Sequence, residues 1–452
     1  MRVSKYTIYE IILFHIFAAA YALSFSRKDE WPVTILLFLL IAALMVLEYL
    51  RTHLFVSPLF FWYAFWLGAI SIGRMKLGIG VYPLYKDWSP ALLRIVLLNT
   101  VLFFWLYWAG EWLSQRRGGF ENDAITRRMS TERLSDVVIL LLGIAIASFA
   151  VNVFRTGIIP QLTGNANAYR GAFVATRYYQ IVGLLRCVLA LVPAAVKNTS
   201  SAAKKACVVL LCAAYLLCEM LTGWRGYTLQ AMILLLTSFF LISDTNSAKT
   251  RRRNLLVVAA AFAAVAAFII FITVTRDGAF ESTATRVKYA IDTFYLYIAP
   301  NFLNFQSAVE KVAPKGYFMY TTEALWGIVM SPAENPQYIW NDVEYSIGAY
   351  NVCTYLLEPY CDAGLAGTLL WSAVIAFFSG TAFGNCVKRK SAAMMIGMGI
   401  ANITIFMLHN NFFLRSSSFL IWLFIGIFVD LLTFRKRKTR NGKKILQAKY
   451  NI

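Results

Sequence analysis

The feature that most constrains this chain is a series of apolar segments, each close to the length of a membrane-spanning helix. A helix crosses the hydrocarbon core of a bilayer with about 20 apolar residues. Segments of this kind occupy residues 7–25, 32–50, 57–74, 91–113, 137–154, 179–196, 206–223, 227–243, 254–275, 365–386, 392–409 and 417–434. The pattern predicts an all-α polytopic membrane protein with about twelve transmembrane helices.

The composition agrees with a membrane protein and argues against a nucleic-acid partner. Hydrophobic residues make up 59% of the chain and charged residues 15%, whereas soluble domains average about 45–50% and about 25%. The net charge of +20 would suggest nucleic-acid binding in a soluble protein. Here the excess lies in short clusters between apolar segments, where it reports orientation in the membrane.

The basic clusters alternate along the chain with connections that carry fewer cations. They lie at residues 51, 116–133, 197–205, 249–253, 388–390 and 435–452. Because cytoplasmic connections carry the excess of Lys and Arg, the alternation predicts that both termini are cytoplasmic. The chain then divides into helices 1–9 (1–275), a long outward loop (276–364), helices 10–12 (365–434) and a basic tail that contacts membrane lipids (435–452).

The long outward loop is the largest stretch outside the predicted membrane segments. It is rich in aromatic residues, and its part from Thr285 to Val312 has helical spacing interrupted by Pro300. Aromatic amphipathic helices tend to lie in the membrane interface. A loop of this length is more often a lid or binding surface than slack chain, so we expect it to cover a site at the outer face.

Four arginines lie at the outer ends of different predicted helices, where the positive-inside rule disfavours cations: Arg170, Arg225, Arg276 and Arg415. The planar guanidinium makes bidentate contacts with phosphate. These residues are therefore candidates to bind an anionic group at the outer face. The alternative is that their side chains extend to lipid headgroups.

Two further charges fall inside predicted helices. Arg186 and Glu219 lie a turn or two below the outer ends of helices 6 and 7. Charges at this depth are costly and are usually paired or functional. We expect the two to pair with each other, either for structure alone or as support that positions Arg225.

The acids in the second half of the loop, together with one histidine, are the candidates for a general base. Asp342, Glu344, Glu358 and Asp362 are the carboxylates, and His409 ends helix 11 at the outer face. Glu358 and Asp362 share a face if their segment is helical, although Asp362 also suits the start of helix 10 electrostatically. The Asp342-x-Glu344 spacing is a weak metal signal, and we expect no metal.

Several other kinds of site lack support in the sequence. It contains no phosphate-binding GxxxxGK[ST] loop, no dinucleotide-binding GxGxxG after a strand and no HExxH zinc motif, so we expect no cofactor. The seven cysteines form no CxxC pattern. Cys353 and Cys361, both in the loop, could form a disulfide if that side of the membrane is oxidising, and the sequence leaves open whether they pair.

The chain resembles the O-antigen polymerases, which are also called the Wzy-type oligosaccharide repeat unit polymerase family. The resemblance rests on the twelve-helix layout and on the following short pieces: Gly223-Trp-Arg-Gly226, Thr275-Arg-Asp-Gly278, Tyr350-Asn-Val-Cys-Thr-Tyr355, Pro359-Tyr-Cys-Asp-Ala-Gly364 and Gly367. Ala363 departs from the family, whose members often carry an aromatic residue there.

The resemblance implies a membrane glycosyltransferase of the GT-C class in the bacterial inner membrane. It would transfer a growing glycan from undecaprenyl diphosphate to the next lipid-linked repeat unit at the outer face, without a nucleotide-sugar donor. Outward arginines would hold the diphosphate, and a polar residue of the loop would activate the acceptor. A flippase and a chain-length regulator are the partners that the family implies.

Two alternatives stay open. An O-antigen ligase has a similar architecture, but it would depend on a histidine and an arginine in the long loop, and residues 276–364 contain no histidine. A flippase or other transporter of lipid-linked oligosaccharides would show paired broken helices and internal symmetry, and neither is evident.

Overall fold

The computed structural model describes most of the predicted membrane segments and part of the long loop. The described residues are 5–24, 30–73, 78–79, 82–83, 87–116, 131–163, 166–243, 298–314, 320–321, 353–388, 391–409 and 418–433, together with isolated residues between 250 and 296.

The described part of the chain is helical, apart from one antiparallel pair of two-residue strands, Gly78–Ile79 with Tyr82–Pro83. The α-helices are α1 Lys5–Leu23, α2 Glu30–Thr52, α3 Pro58–Phe61, α4 Gly68–Gly73, α5 Pro90–Arg116, α6 Thr131–Thr156, α7 Ala166–Val174, α8 Arg177–Leu185, α9 Val192–Asn198, α10 Ala202–Leu221, α11 Arg225–Ile242, α12 Ala299–Lys311, α13 Leu357–Lys388, α14 Ala392–Phe406 and α15 Ser418–Thr433. A π-helical segment, Trp62–Leu67, joins α3 to α4, and a 3₁₀ segment, Arg186–Leu191, joins α8 to α9.

Within the described residues, seven helices are long and apolar enough to cross a membrane, and three shorter apolar helices accompany them. Large apolar side chains on the outer surface remain exposed, among them Phe154 at 89%, Leu210 and Phe424. Apolar surface of this extent is unusual on soluble monomers but suits contact with lipid. The structure therefore supports a membrane-embedded helical protein.

All of the predicted membrane segments except residues 254–275 coincide with helices in the described structure. That segment, the ninth, lies outside the described residues apart from isolated positions. The total of twelve spans and the assignment to the GT-C class therefore stay predictions.

Contacts between helix ends agree with the alternating up-and-down order. Lys204 at the start of α10 pairs with Asp136 at the start of α6, with 2.6 Å between Nζ and Oδ1. The Lys197 ammonium, near the end of α9, donates to the Ile242 carbonyl at the end of α11 at 2.6 Å. These basic residues meet at one end of the bundle, the end that the sequence predicts to be cytoplasmic.

Helices α5 and α13 approach each other closely because glycines line their contact. A Cβ on Gly110 would lie 2.5 Å from the Phe377 carbonyl oxygen, and one on Gly380 would overlap the Tyr107 carbonyl oxygen. Gly384, one turn later, faces Glu111 and Ser114 in the same way. Small residues spaced four apart allow such backbone contact between membrane helices. We call this contact the glycine seam.

Helix α12, the described helical part of the long loop, is buried inside the protein. Residues 299–308 are all buried, and Phe302 stacks on Trp88 with ring centroids 4.8 Å apart. The Gln306 side chain accepts a hydrogen bond from the Ser89 backbone N–H at 2.9 Å. Pro300 lies in the first turn of α12, where a missing N–H costs little. The segment before it lies outside the described residues.

Helix α13 contains a break near its beginning. Ala363 and Gly364 leave the helical conformation, and Gly364 has φ 59° and ψ −142°, a combination that only glycine adopts readily. Asp362 therefore ends a short helical piece that starts at Leu357, whereas the sequence placed it at the start of helix 10. Asp362 is therefore separated from the predicted membrane helix by the break at Ala363 and Gly364.

Candidate functional site

A buried charged cluster joins α8, α10 and α11 near one end of the bundle. The Arg186 Nε donates to Glu219 Oε1 at 2.7 Å, and its Nη1 donates to the Gln230 side-chain oxygen at 2.8 Å. The hydroxyls of Tyr215 and Tyr179 donate to the same carboxylate at 2.8 and 2.7 Å. The predicted pairing of Arg186 with Glu219 is confirmed.

A column of aromatic and guanidinium groups extends from the cluster. The Arg186 guanidinium lies 4.2 Å from the centre of the Tyr227 ring. Tyr227 packs on Trp224 with centroids 4.8 Å apart, and Arg170 lies 5.4 Å from the Trp224 ring. Contacts of this kind are favourable where the cation is partly desolvated. The column thus consists of four side chains in contact, with the buried Arg186 at one end and the half-buried Arg170 at the other.

A glycine turn places Arg225 beside this column. Gly223 has φ 70°, a left-handed conformation that favours glycine. A Cβ there would lie 2.9 Å from Ala166 Cβ and 2.9 Å from Gln161 Oε1. The turn is thus packed against α7 and against a 3₁₀ segment before it, Pro160–Leu162, and it starts α11 at Arg225. Arg225 is half-buried, directly after Trp224.

The Asp362 carboxylate holds a turn of the long loop. Its Oδ1 accepts the Tyr320 backbone N–H at 3.0 Å. Its Oδ2 accepts the Thr321 N–H at 2.7 Å and the Thr321 hydroxyl at 2.6 Å. Hydrogen bonds to a charged acceptor are the stronger kind. Asp362, which is fully buried, therefore fixes the loop to the start of α13.

Glu358 and His409 are the other described candidates for a base. Glu358 lies one turn before Asp362 in the same helical piece, as predicted, and is buried. His409 is half-buried three residues beyond the end of α14, and its carbonyl accepts a hydrogen bond from the Asn301 side chain at 2.6 Å. Desolvation lowers the pKa of the His409 imidazole to about 4, so the ring is neutral at pH 7.

A buried polar chain fixes the end of the loop where it joins α13. The Tyr355 hydroxyl lies 2.7 Å from the Ser372 hydroxyl, which donates to Asn99 Oδ1 at 2.6 Å. The Asn99 amide donates to the Thr368 hydroxyl at 3.1 Å. Buried polar groups that satisfy each other in this way define a single arrangement.

The arginine column and the loop acids lie at the same end of the bundle. The Tyr355 N–H donates to the Leu408 carbonyl at 3.0 Å, which places the end of α14 beside the start of α13. The Trp422 indole, near the start of α15, donates to the Gly183 carbonyl on α8 at 3.2 Å. Helices α14 and α15 are joined there by residues 410–417. The charge pattern of the sequence predicts that this end faces outward.

Four predicted site residues cannot be placed. Arg276, Asp342, Glu344 and Arg415 lie outside the described residues. Their roles stay predictions.

Several members of the cluster carry no signal that would single them out in the sequence. Tyr179, Tyr215, Tyr227 and Gln230 are ordinary residues of apolar segments, and only the folded arrangement brings them to Arg186 and Glu219. Trp224 is the exception because it lies within the turn already singled out.

Two further expectations concern the loop cysteines and a metal. Cys353 and Cys361 are buried thiols in the structure, and no disulfide joins them. Among the described residues, no group of three His, Cys, Asp or Glu side chains is arranged to hold a metal ion. Asp342 and Glu344, the residues of the weak metal signal, are not among them.

Comparison with known proteins gave no match: no protein-family model, curated protein or solved structure is significantly similar to the chain. The resemblance to O-antigen polymerases therefore rests on the residues quoted above and on the helical layout.

Proposed function

We propose that the chain is a membrane glycosyltransferase that polymerises oligosaccharide repeat units carried on undecaprenyl diphosphate. The product would be an O-antigen, a capsule or an exopolysaccharide. The supporting observation is the arrangement of Arg170, Trp224, Arg225, Tyr227 and Arg186, which lie at the same end of the bundle as the end of the long loop.

The arrangement suits a lipid-linked diphosphate. Arg225 is the first residue of α11, whereas Arg170 lies in the middle of α7, the short helix between α6 and α8. Both are half-buried rather than fully solvated, and a phosphate at the level of lipid headgroups would be within their reach. A guanidinium in partly desolvated surroundings attracts phosphate more strongly than it would in water. The buried Arg186–Glu219 pair fixes Tyr227 and α11 behind them and so supports the position of Arg225.

In the proposed reaction, an acceptor hydroxyl oxygen forms a bond to the anomeric carbon of the donor glycan. The bond from that carbon to the diphosphate oxygen breaks, and undecaprenyl diphosphate leaves with the electron pair. The arginines stabilise the charge that develops on the leaving diphosphate. The hydroxyl proton passes to a base at the same end of the bundle.

The described candidates for this base are not equivalent. Asp362 already accepts three hydrogen bonds from the loop, and its protonation would weaken all three. His409 is neutral at pH 7 and able to accept a proton, and Glu358 is a buried carboxylate near the loop. Asp342 and Glu344 stay candidates from the sequence.

Deletion of the gene in the host, followed by electrophoresis of the surface glycans, tests the function. Loss of long chains with persistence of single-repeat glycans is the expected result. Loss of all attached glycan would instead indicate the ligase or the flippase, and unchanged chain lengths would refute all three.

The role of Arg225 is tested with purified protein and an undecaprenyl-diphosphate-linked repeat unit. Arg225→Ala should slow polymerisation at least about 100-fold, because the loss of one preorganised donor to a developing anion typically costs about 10²–10³ in rate. The control is Arg155→Ala, since the Arg155 guanidinium packs 5.1 Å from the Tyr178 ring, which is not a member of the column. If Arg225→Ala polymerises as fast as this control, Arg225 is not in the site.

A further inference from the structure

A second charged cluster lies at the opposite end of the bundle from Asp362. Glu10 of α1, Glu48 of α2 and Glu111 of α5 surround Arg51, the last basic residue of α2. The side-chain exposures of the carboxylates are 0%, 0% and 3%, and that of Arg51 is 9%. In the sequence, Arg51 serves only as a marker of orientation. Among the residues that the structure describes, it is the one cation that pairs with these three buried acids.

Arg51 compensates two of the three carboxylates well. Its Nε and Nη2 lie 2.7 Å from Glu48 Oε2, and its Nη1 lies 2.6 Å from Glu111 Oε1. The guanidinium also packs 4.3 Å from the centre of the Trp108 ring. These short charge-assisted contacts use the guanidinium fork on Glu48 and Glu111.

Of the three carboxylates, Glu10 is the one whose negative charge Arg51 compensates least. Its Oε1 accepts the Tyr63 hydroxyl at 2.8 Å, but its Oε2 lies 3.4 Å from Arg51 Nε. That oxygen is buried and accepts no hydrogen bond from the part of the chain that the structure describes.

The hydroxyl of Tyr107 gives independent evidence that the cluster holds something further. It is buried, and among the described residues it also has no hydrogen-bond partner. Tyr107 lies one turn before Glu111 and interacts electrostatically with all three carboxyl groups. A buried hydroxyl almost always has a partner in a protein, so this group points to a proton or a water molecule within the cluster.

The charge count leads to the same conclusion. Three ionised carboxylates around one guanidinium would leave two uncompensated negative charges in surroundings from which water is excluded. Burial of an unpaired carboxylate is so costly that the group neutralises instead. We propose that this cluster is a proton-binding site and that Glu10 carries the proton on Oε2 at neutral pH.

The groups that face Glu10 come from each element packed against it. They are Glu48 and Arg51 on α2, Tyr63 on the π-helical segment, and Tyr107 and Glu111 on α5. The proposal does not depend on the proposed glycosyltransferase activity. Glu111 lies beside Gly384, which is 19 residues beyond Leu365, the residue that follows the break in α13; this is about 28 Å of helix.

Infrared spectroscopy detects the proton directly, because a protonated carboxyl has a C=O stretch that a carboxylate lacks. The purified full-length protein at neutral pH should show this band, shifted on exchange into D₂O, and Glu10→Gln should lose it. Asp136→Asn is the control, because Asp136 is half exposed and paired with Lys204; its loss should leave the band unchanged. Absence of the band, or its persistence in Glu10→Gln, would overturn the proposal.

A stability measurement separates a bound proton from a purely ionic role. If folded Glu10 holds a proton that the unfolded chain releases, the folded state binds more protons and stability falls as pH rises. The folding equilibrium constant should fall by up to about tenfold per pH unit from about pH 4.3, where the unfolded carboxyl ionises, up to the pH at which folded Glu10 releases its proton. Glu10→Gln mimics the protonated acid and should flatten this dependence. Strong destabilisation of Glu10→Gln at every pH, with the wild-type slope retained, would show that Glu10 is an essential anion instead.

Discussion

Replacing Glu219 alone should destabilise the protein more than replacing it together with Arg186. Glu219→Leu leaves the Arg186 guanidinium, which is 3% exposed, without its counter-ion. Removing one partner of a buried pair costs about 3–5 kcal/mol. The Tyr179 hydroxyl also loses its acceptor, at about 1 kcal/mol, whereas the Tyr215 hydroxyl keeps the Val182 carbonyl at 2.7 Å. The expected loss for Glu219→Leu is therefore about 4 kcal/mol or more.

The double variant Arg186→Met/Glu219→Leu removes both charges and fills the space with apolar side chains. Replacement of a whole buried pair in this way is often close to neutral. Only the loss of the Tyr179 acceptor then remains, so we expect a loss of about 1 kcal/mol. Unfolding of the detergent-solubilised protein, followed by tryptophan fluorescence, measures the free energies of unfolding of the wild type, the single variants Arg186→Met and Glu219→Leu, and the double variant.

The matched control is the Lys204–Asp136 pair, whose side chains are 37% and 54% exposed. Lys204→Met should cost less than about 1 kcal/mol. The reasoning is refuted if Glu219→Leu costs no more than this control. It is also refuted if the double variant loses the sum of its two single variants, because the residues would then not act as a pair.

Two further predictions concern packing and the loop. Gly380→Ala should abolish the monodisperse peak in size-exclusion chromatography, because its Cβ would overlap the Tyr107 carbonyl oxygen. The control Gly143→Ala should behave as wild type, because a Cβ there meets nothing within 4 Å. Equal elution profiles for the two variants would contradict the close contact at the glycine seam. Asp362→Ala should lower the free energy of unfolding by about 1.5–3 kcal/mol for each lost hydrogen bond to the charged carboxylate, and it should speed proteolysis of the long loop. Thr321→Val keeps the backbone hydrogen bond and should have a smaller effect. Unchanged proteolysis of Asp362→Ala would show that other contacts hold the loop.

The helices were predictable from the sequence because length and hydropathy alone determine which segments suit a bilayer. The pairing of Arg186 with Glu219 was predictable for a related reason. Two opposite charges at a similar depth in consecutive spans have few other ways to avoid an uncompensated charge in lipid.

Other features depended on which helices are neighbours, and hydropathy does not carry that information. Glu10, Glu48 and Glu111 lie on three helices that are far apart in sequence, so the Arg51 cluster emerges only when these helices meet. The aromatic side chains of α12 suggested a helix at the membrane surface. An aromatic face packs equally well against protein, however, and α12 is buried.

The break in α13 comes from the glycine at position 364, and the apolar pattern alone shows no sign of it. The apolar run begins at Leu365, and Asp362 therefore looked like a residue at the start of a helix. The left-handed conformation of Gly364 separates the two helical pieces instead. Only the identity of that residue as glycine hinted at this.

The glycine seam has a consequence for how the protein can move. Backbones in direct contact cannot slide or separate without losing the fit of every glycine, so α5 and α13 form one rigid strut between the two ends of the molecule. Any opening that admits a lipid-linked molecule must then come from helices packed through longer, more adaptable side chains. The strut begins at Leu365, directly after the break that separates it from Asp362, and Glu111 lies at its other end, so the distance between the break and the charged cluster stays fixed throughout such a motion.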